Sequence, residues 1–363
     1  MGSLRLHYIA VLLVIFCGAV TATKRAQTRS CTIGKYNRIF VIGDSFVDNG
    51  NRDPDNSTYT AIGSVNQSWQ PPFGRTRPGK PAGRFSDGKV LSDFLADYMG
   101  LKPVPYRSRE DPPPSTRLKD GINFAVGGAG VFPNEGFTKT GDQIRQLKAV
   151  MTRSIYRNRY DESLVFYTIS GNDYAAYVRN GGSLDPVSIS TFVTSVVGQA
   201  TKDLRALYDL GFRSFVVSKL SPLGCGPAST AANGFKECQI EINALSRLHN
   251  VQLALSLTTA LPFDANVLYL DNQLAFEAII FKPFDNARLD PCCSGLQFGR
   301  LCGDVDGQGN KQYSLCNLSS QADFFWWDEF HPTETAWSSI FNLFTNGVVY
   351  TSGRSLRRFL GCS

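Results

Sequence analysis

The chain has 363 residues, 42% hydrophobic and 19% charged, an ordinary globular composition whose length allows two domains or one large α/β domain. Its formal charge is +6, but the basic residues are scattered, with no Lys/Arg run and no aromatic-interleaved patch. That argues against nucleic-acid binding, and a mild positive balance is usually only a solubility feature.

At the N-terminus, Arg5 precedes an apolar run over 8–20, and Val20, Thr21 and Ala22 supply small residues for cleavage. Residues 1–22 read as a secretory signal peptide and 23–363 as the mature chain. A signal anchor is the alternative, disfavoured by the short apolar run. Losing Arg5 lowers the charge by one, to +5. No later stretch is long and apolar enough to span a membrane. Short apolar runs then alternate with longer helical patterns. Strands are predicted at 38–42, 122–126, 164–169, 215–217 and 267–270, and helices at 90–99, 141–156, 186–210, 238–260 and 333–350. The Pro/Gly-rich stretch 70–84 and the run Pro112-Pro113-Pro114 read as surface loops. This alternation predicts one domain, a three-layer α/β/α sandwich around a parallel five-stranded sheet.

Cys17 leaves with the leader, so eight of the nine cysteines remain. An even count in a secreted chain favours disulfides. Cys225 and Cys238 close a short loop, while Cys292, Cys293, Cys302 and Cys316 mark a stapled excursion. A zinc site in that cluster is the alternative, but it lacks a CxxC pair and the nearby His331 has a better use; no metal is expected. Sequons at Asn56, Asn66 and Asn317 fit surface glycosylation.

With three histidines in the chain, the search for a general base is short. His7 leaves with the leader, and His249 sits inside a helical pattern beside Leu248 and Val251, which suits a structural role. His331 remains, three residues after Asp328 and just before a helix. That spacing lets one turn set the carboxylate against the imidazole, although both residues capping a helix is the alternative. The natural nucleophile is Ser45, at the break of the apolar run in Phe40-Val41-Ile42-Gly43-Asp44-Ser45, exposed at a strand end and entering a helix. A helix N-terminus there would present N–H groups to developing negative charge. No G-x-S-x-G elbow occurs. Two further strand ends offer oxyanion donors: the Gly127-Gly128 turn, through backbone N–H groups, and Asn172, through its side-chain amide.

The stretches FVIGDSFVDNGN, GINFAVGGAGVF, ISGNDY and WWDEFHPT, together with KPAGRFSDG and LSPLGCGP, fall in an order and spacing that resemble the GDSL esterase/lipases of the SGNH hydrolase superfamily, in its plant branch. The resemblance runs from about residue 36 to 350. It implies an SGNH, flavodoxin-like fold, with Ser45 as nucleophile, His331 as base and Asp328 as its orienting acid. It also implies an oxyanion hole from the Ser45 and Gly128 backbone N–H groups and the Asn172 amide, with Gly127 as the alternative to Gly128. Asp48 and Asp173 are candidates for supporting these groups, or for ordinary loop structure. The expected reaction is ester hydrolysis through an acyl-enzyme, without a cofactor, in a secreted, extracellular or cell-wall protein. Lipid, acetylated polysaccharide and phenolic esters all suit the family. An acyltransferase using the same site, and a silent wall- or glycan-binding protein on the same scaffold, are the rival readings.

Overall fold

The computed structural model describes residues 31, 34–52, 67–106, 119–133, 138–152, 159–281, 289–297 and 299–362. The predicted leader, Asn56, Asn66 and the Pro112 run lie outside the described residues. Six parallel strands form the central sheet: β1 (Arg38–Ile42), β2 (Val104–Pro105), β3 (Gly121–Asn123), β4 (Ser163–Tyr167), β5 (Ser214–Ser218) and β6 (Asn266–Leu270). Their order is β2-β3-β1-β4-β5-β6. A short antiparallel pair, β7 (Cys293–Gly295) and β8 (Tyr313–Leu315), lies in the Cys-rich excursion. The helices are α1 (Leu91–Tyr98), α2 (Thr140–Met151), α3 (Asn172–Arg179), α4 (Pro186–Asp209), α5 (Pro227–Thr230), α6 (Ile240–Ala260), α7 (Asn272–Ile280), α8 (Glu334–Asn346) and α9 (Leu356–Phe359).

Five strands were expected in the sheet and six are found among the described residues. The addition, β2, is two residues long and contains Pro105, which lacks an N–H for the ladder, so edge position suits it and no periodicity announces it. The expected strand 122–126 stops at Asn123, after which the chain turns toward the glycines. The helix expected over 141–156 is described to Met151, and residues 153–158 lie outside the described set.

Alternation along each strand divides the core. Ile39 and Val41 face Leu95, Phe276, Trp337 and Phe344, from α1, α7 and α8. Phe40 and Ile42 face Leu147, Val196, Leu204 and Leu253, from α2, α4 and α6. Strands buried on both faces read as continuous apolar runs, which is why the sheet was legible. A third cluster packs Phe73, Phe85 and Trp327 against three of the excursion's half-cystines.

Four disulfides lie among the described residues: Cys31–Cys362, Cys225–Cys238, Cys292–Cys316 and Cys293–Cys302. Among the described residues no group of His, Cys, Asp and Glu could hold a metal ion, and no helix is long and apolar enough to cross a membrane.

Candidate active site

The site is assembled where β3, β1 and β4, neighbours in the sheet, release the chain at their carboxyl ends. After β1 the chain makes a single turn closed by the Val47 and Asp48 N–H groups on the Asp44 carbonyl, and residues 45–52 form no helix. The expected helix after Ser45 is therefore absent: the polar residues Asp48 to Asn51 bond locally and pull the backbone into a loop, as short polar side chains do. Ser45 is also 5% exposed rather than open to solvent, and it lies in the wall of a cleft of about 1040 Å³. Behind it, buried Gln143 on α2 holds the Gly43 peptide from both sides, accepting from its N–H at 2.8 Å and donating to its carbonyl at 2.8 Å.

His331 Nε2 lies 2.9 Å from Ser45 Oγ, and its Nδ1 lies 2.8 Å from each Asp328 carboxylate oxygen. The same carboxylate accepts the backbone N–H groups of Phe330 and His331, so the DxxH spacing closes one tight turn. Phe85 lies against the imidazole with ring centroids 5.1 Å apart, and Phe46 meets it edge-on. The turn is docked on the disulfide-stapled excursion: Cys292 and Cys293 donate to the Trp326 and Trp327 carbonyls, while Glu329 accepts from the Gly295 and Cys302 N–H groups. Burial, followed by the Asp328 charge, pushes the Glu329 carboxyl up to about 7.

Gly127 and Gly128 separate on hydrogen bonding. The Gly127 N–H donates to Asp48 Oδ2 at 2.8 Å, and a committed donor cannot serve a ligand. Gly128 has a φ of +88°, a conformation that favours glycine, and it borders the cleft. Among the described residues its N–H has no acceptor. Asn172 opens α3 and also borders the cleft. One of its amide hydrogens is anchored on the Ala129 carbonyl at 2.9 Å, and the other faces Asp44 Oδ2 across a long 3.3 Å.

Three buried carboxylates hold these loops. Asp48 also accepts from Gly50 and Asn51, and Asp173 accepts from Val131 and Phe132 in the glycine loop, each at 3.0 Å. Asp44 accepts from Ser170 N–H and Oγ and from Phe46 N–H, and desolvation raises its pKa to about 6. Burial likewise raises the carboxyls of Asp48 and Asp173 above the ordinary range. Sequence reasoning did not assign roles to Asp44, Gln143, Phe85 or Glu329. Asp44 sat beside Ser45, which was a signal; Gln143 was one polar residue in a helix and gave none.

His249 is fully buried on α6, its Nδ1 2.7 Å from the Tyr174 hydroxyl, and burial lowers its pKa to about 3. It is a neutral core histidine. Asn317 is exposed.

Residues 39–344 match the GDSL-like lipase/acylhydrolase family. A GDSL esterase/lipase of Arabidopsis thaliana is 35% identical over 85% of this chain and 87% of its own, and a second from the same plant is 34% identical over 84% and 85%. Among solved structures, an α/β hydrolase from the metagenome of Lake Arreo aligns with a TM-score of 0.38 and 12% identity, over 90% of this chain and 95% of its own. The chain belongs to the GDSL-like lipase/acylhydrolase family and is an enzyme of the ester-hydrolase class.

Proposed function

We propose that this protein is a secreted, single-domain carboxylic ester hydrolase that works through an acyl-enzyme on Ser45. The observation that carries the reading is the relay from Ser45 Oγ through His331 to Asp328, with every link at 2.8–2.9 Å in the wall of a cleft. His331 takes the Ser45 proton as Oγ attacks the ester carbonyl carbon. Asp328 holds the imidazole with Nε2 toward Ser45 and stabilises the imidazolium. The carbonyl oxygen, now negative, receives the N–H groups of Ser45 and Gly128. Asn172 gives it the hydrogen now facing Asp44, a long and weak bond to surrender. His331 then returns the proton to the departing alkoxide. Water, deprotonated by the same imidazole, attacks the acyl-enzyme and frees the acid.

Four disulfides and the predicted leader support a secreted protein. Hydrolysis of p-nitrophenyl butyrate by the glycosylated protein and by Ser45→Ala, with mass-spectrometric detection of a phosphonate adduct on Ser45, tests the reading. Activity and adduct should both vanish in the mutant. Equal rates in both proteins, or an adduct on another residue, refute the assignment.

A further inference from the structure

The cleft extends well past the reacting atoms, and its volume of about 1040 Å³ is at the upper end for small-molecule sites. Its two sides differ. On the His331 side the wall includes Glu329, Phe330 and Leu301. The other side is built by α3, the start of α4 and the first half of α6, which present Val178, Ile189, Ile242, Leu245 and Leu248, with Leu223 added from the turn after β5. Because α3 begins at Asn172, the apolar wall starts at the oxyanion amide and reaches Val178 about 9 Å further along the helix axis. Val178, Leu184 and Ile242 are 50%, 65% and 37% exposed, although all three border the same apolar cleft as Ser45. An apolar surface left open beside a nucleophile is one that a ligand covers. The charged residues on that side, Arg179 and Glu241, are exposed and can stay in water while a ligand covers their neighbours.

His331 must reach the leaving oxygen to protonate it, so the alcohol departs along the wall of Glu329 and Phe330. The apolar wall that starts at Asn172 is then left for the acyl group. We infer that the natural substrate is an ester with an extended alkyl acyl chain. The chain lies in the apolar arm between α3, the start of α4 and α6, and Val178, Ile242 and Leu245 set its usable length. This rests on Ser45 being the nucleophile. An acetyl group would leave the arm unfilled, whereas each added methylene that it buries should speed acylation by up to about fourfold.

The test uses p-nitrophenyl alkylphosphonates with methyl, hexyl and dodecyl chains on phosphorus, and the rate of adduct formation on Ser45 is read by mass spectrometry. A parallel set carries the same chains on the alkoxy oxygen, the alcohol side. Labelling should accelerate tenfold or more from methyl to hexyl in the first set only. Leu245→Trp, which fills the arm, and Val178→Asp, a change at an exposed position that the fold tolerates, should each cut the hexyl-to-methyl ratio at least fivefold. A flat series, or acceleration that follows the alkoxy chain, overturns the acyl arm while leaving the nucleophile standing. No adduct with any reagent refutes the nucleophile, and the arm with it.

Discussion

Substituting Gly127 by Ala tests how His331 is held. A Cβ at that position lies 2.1 Å from Phe85 Cε2 and 2.7 Å from Cζ. Carbon atoms in contact rest at about 3.5–4.0 Å, so the ring must retreat by roughly 1.5 Å. It cannot do so freely, because Phe73 packs edge-on behind it and His331 lies against it with centroids 5.1 Å apart. The backbone itself accepts the methyl, since Gly127 lies outside the left-handed region. The strain therefore passes to His331, whose 2.9 Å bond to Ser45 is lost on a displacement of this size. Misplacement by about 1 Å costs on the order of 100-fold in rate, and overpacking of a core costs about 1–3 kcal/mol in stability. We expect kcat/KM for p-nitrophenyl butyrate to fall about 100-fold and the urea midpoint to drop modestly. Shrinking the ring should reverse the effect, so Gly127→Ala/Phe85→Leu should be at least about tenfold more active than Gly127→Ala, the coupling expected of residues in contact. Activity within threefold of wild type in Gly127→Ala, or an equal loss in the double mutant, would refute the route from glycine to imidazole.

Asn172→Ala should lower kcat by about 100- to 1,000-fold with little change in KM, as expected for a donor used mainly in the transition state; a wild-type kcat removes Asn172 from the oxyanion hole. Asp44 holds its proton up to about pH 6 in the folded state and only to about pH 4 unfolded, so folding binds a proton between those values. Its contribution to stability is thus full below pH 4 and lost as pH rises through 6, about 3 kcal/mol in all. Asp44→Asn should flatten this part of the stability profile in urea titrations from pH 4 to 7, and an unchanged slope argues against a buried, protonatable Asp44. Replacing Cys293 and Cys302 by Ser frees the segment that donates to Glu329. The variant should lose activity well below its unfolding midpoint, and parallel loss of activity and fold would count against a local role for the bridge.

Much of this site was legible because its chemistry is local. Ser45 follows directly on β1, and Asp328 and His331 need only one turn to meet, so short stretches of sequence carried both. The doubly buried strands announced themselves as apolar runs. What escaped were features fixed across long separations. Gln143 clamps Gly43 from a hundred residues away, and Phe85 reaches His331 from a different loop. Cys31 pairs with Cys362 across 331 residues, a partnership that eight cysteines could not disclose. The helix expected after Ser45 failed for a local reason: Asp48 turns back on the Gly50 and Asn51 N–H groups and ends the turn. Gly127 and Gly128 are identical in the sequence, and what distinguishes them is where the Asp48 carboxylate points, because it takes the Gly127 N–H.

The three carboxylates at the strand ends give the site its order. Asp44, in the loop after β1, takes Ser170 and Asn172 from the loop after β4. Asp48, in the same loop, takes Gly127 from the loop after β3, and Asp173, at the start of α3, takes the far end of that glycine loop. Loops from three adjacent strands are thereby tied pairwise by charge-assisted hydrogen bonds, the strong kind. Burying these carboxyls is unfavourable, as the upward shift of all three shows. In the proposed mechanism the return is that peptide N–H groups and an amide stand aimed before an ester arrives, so little reorganisation remains for the moment when the carbonyl oxygen takes on charge. A neutral apolar packing of the same loops would be easier to bury, but it would leave those donors free to turn toward water or one another.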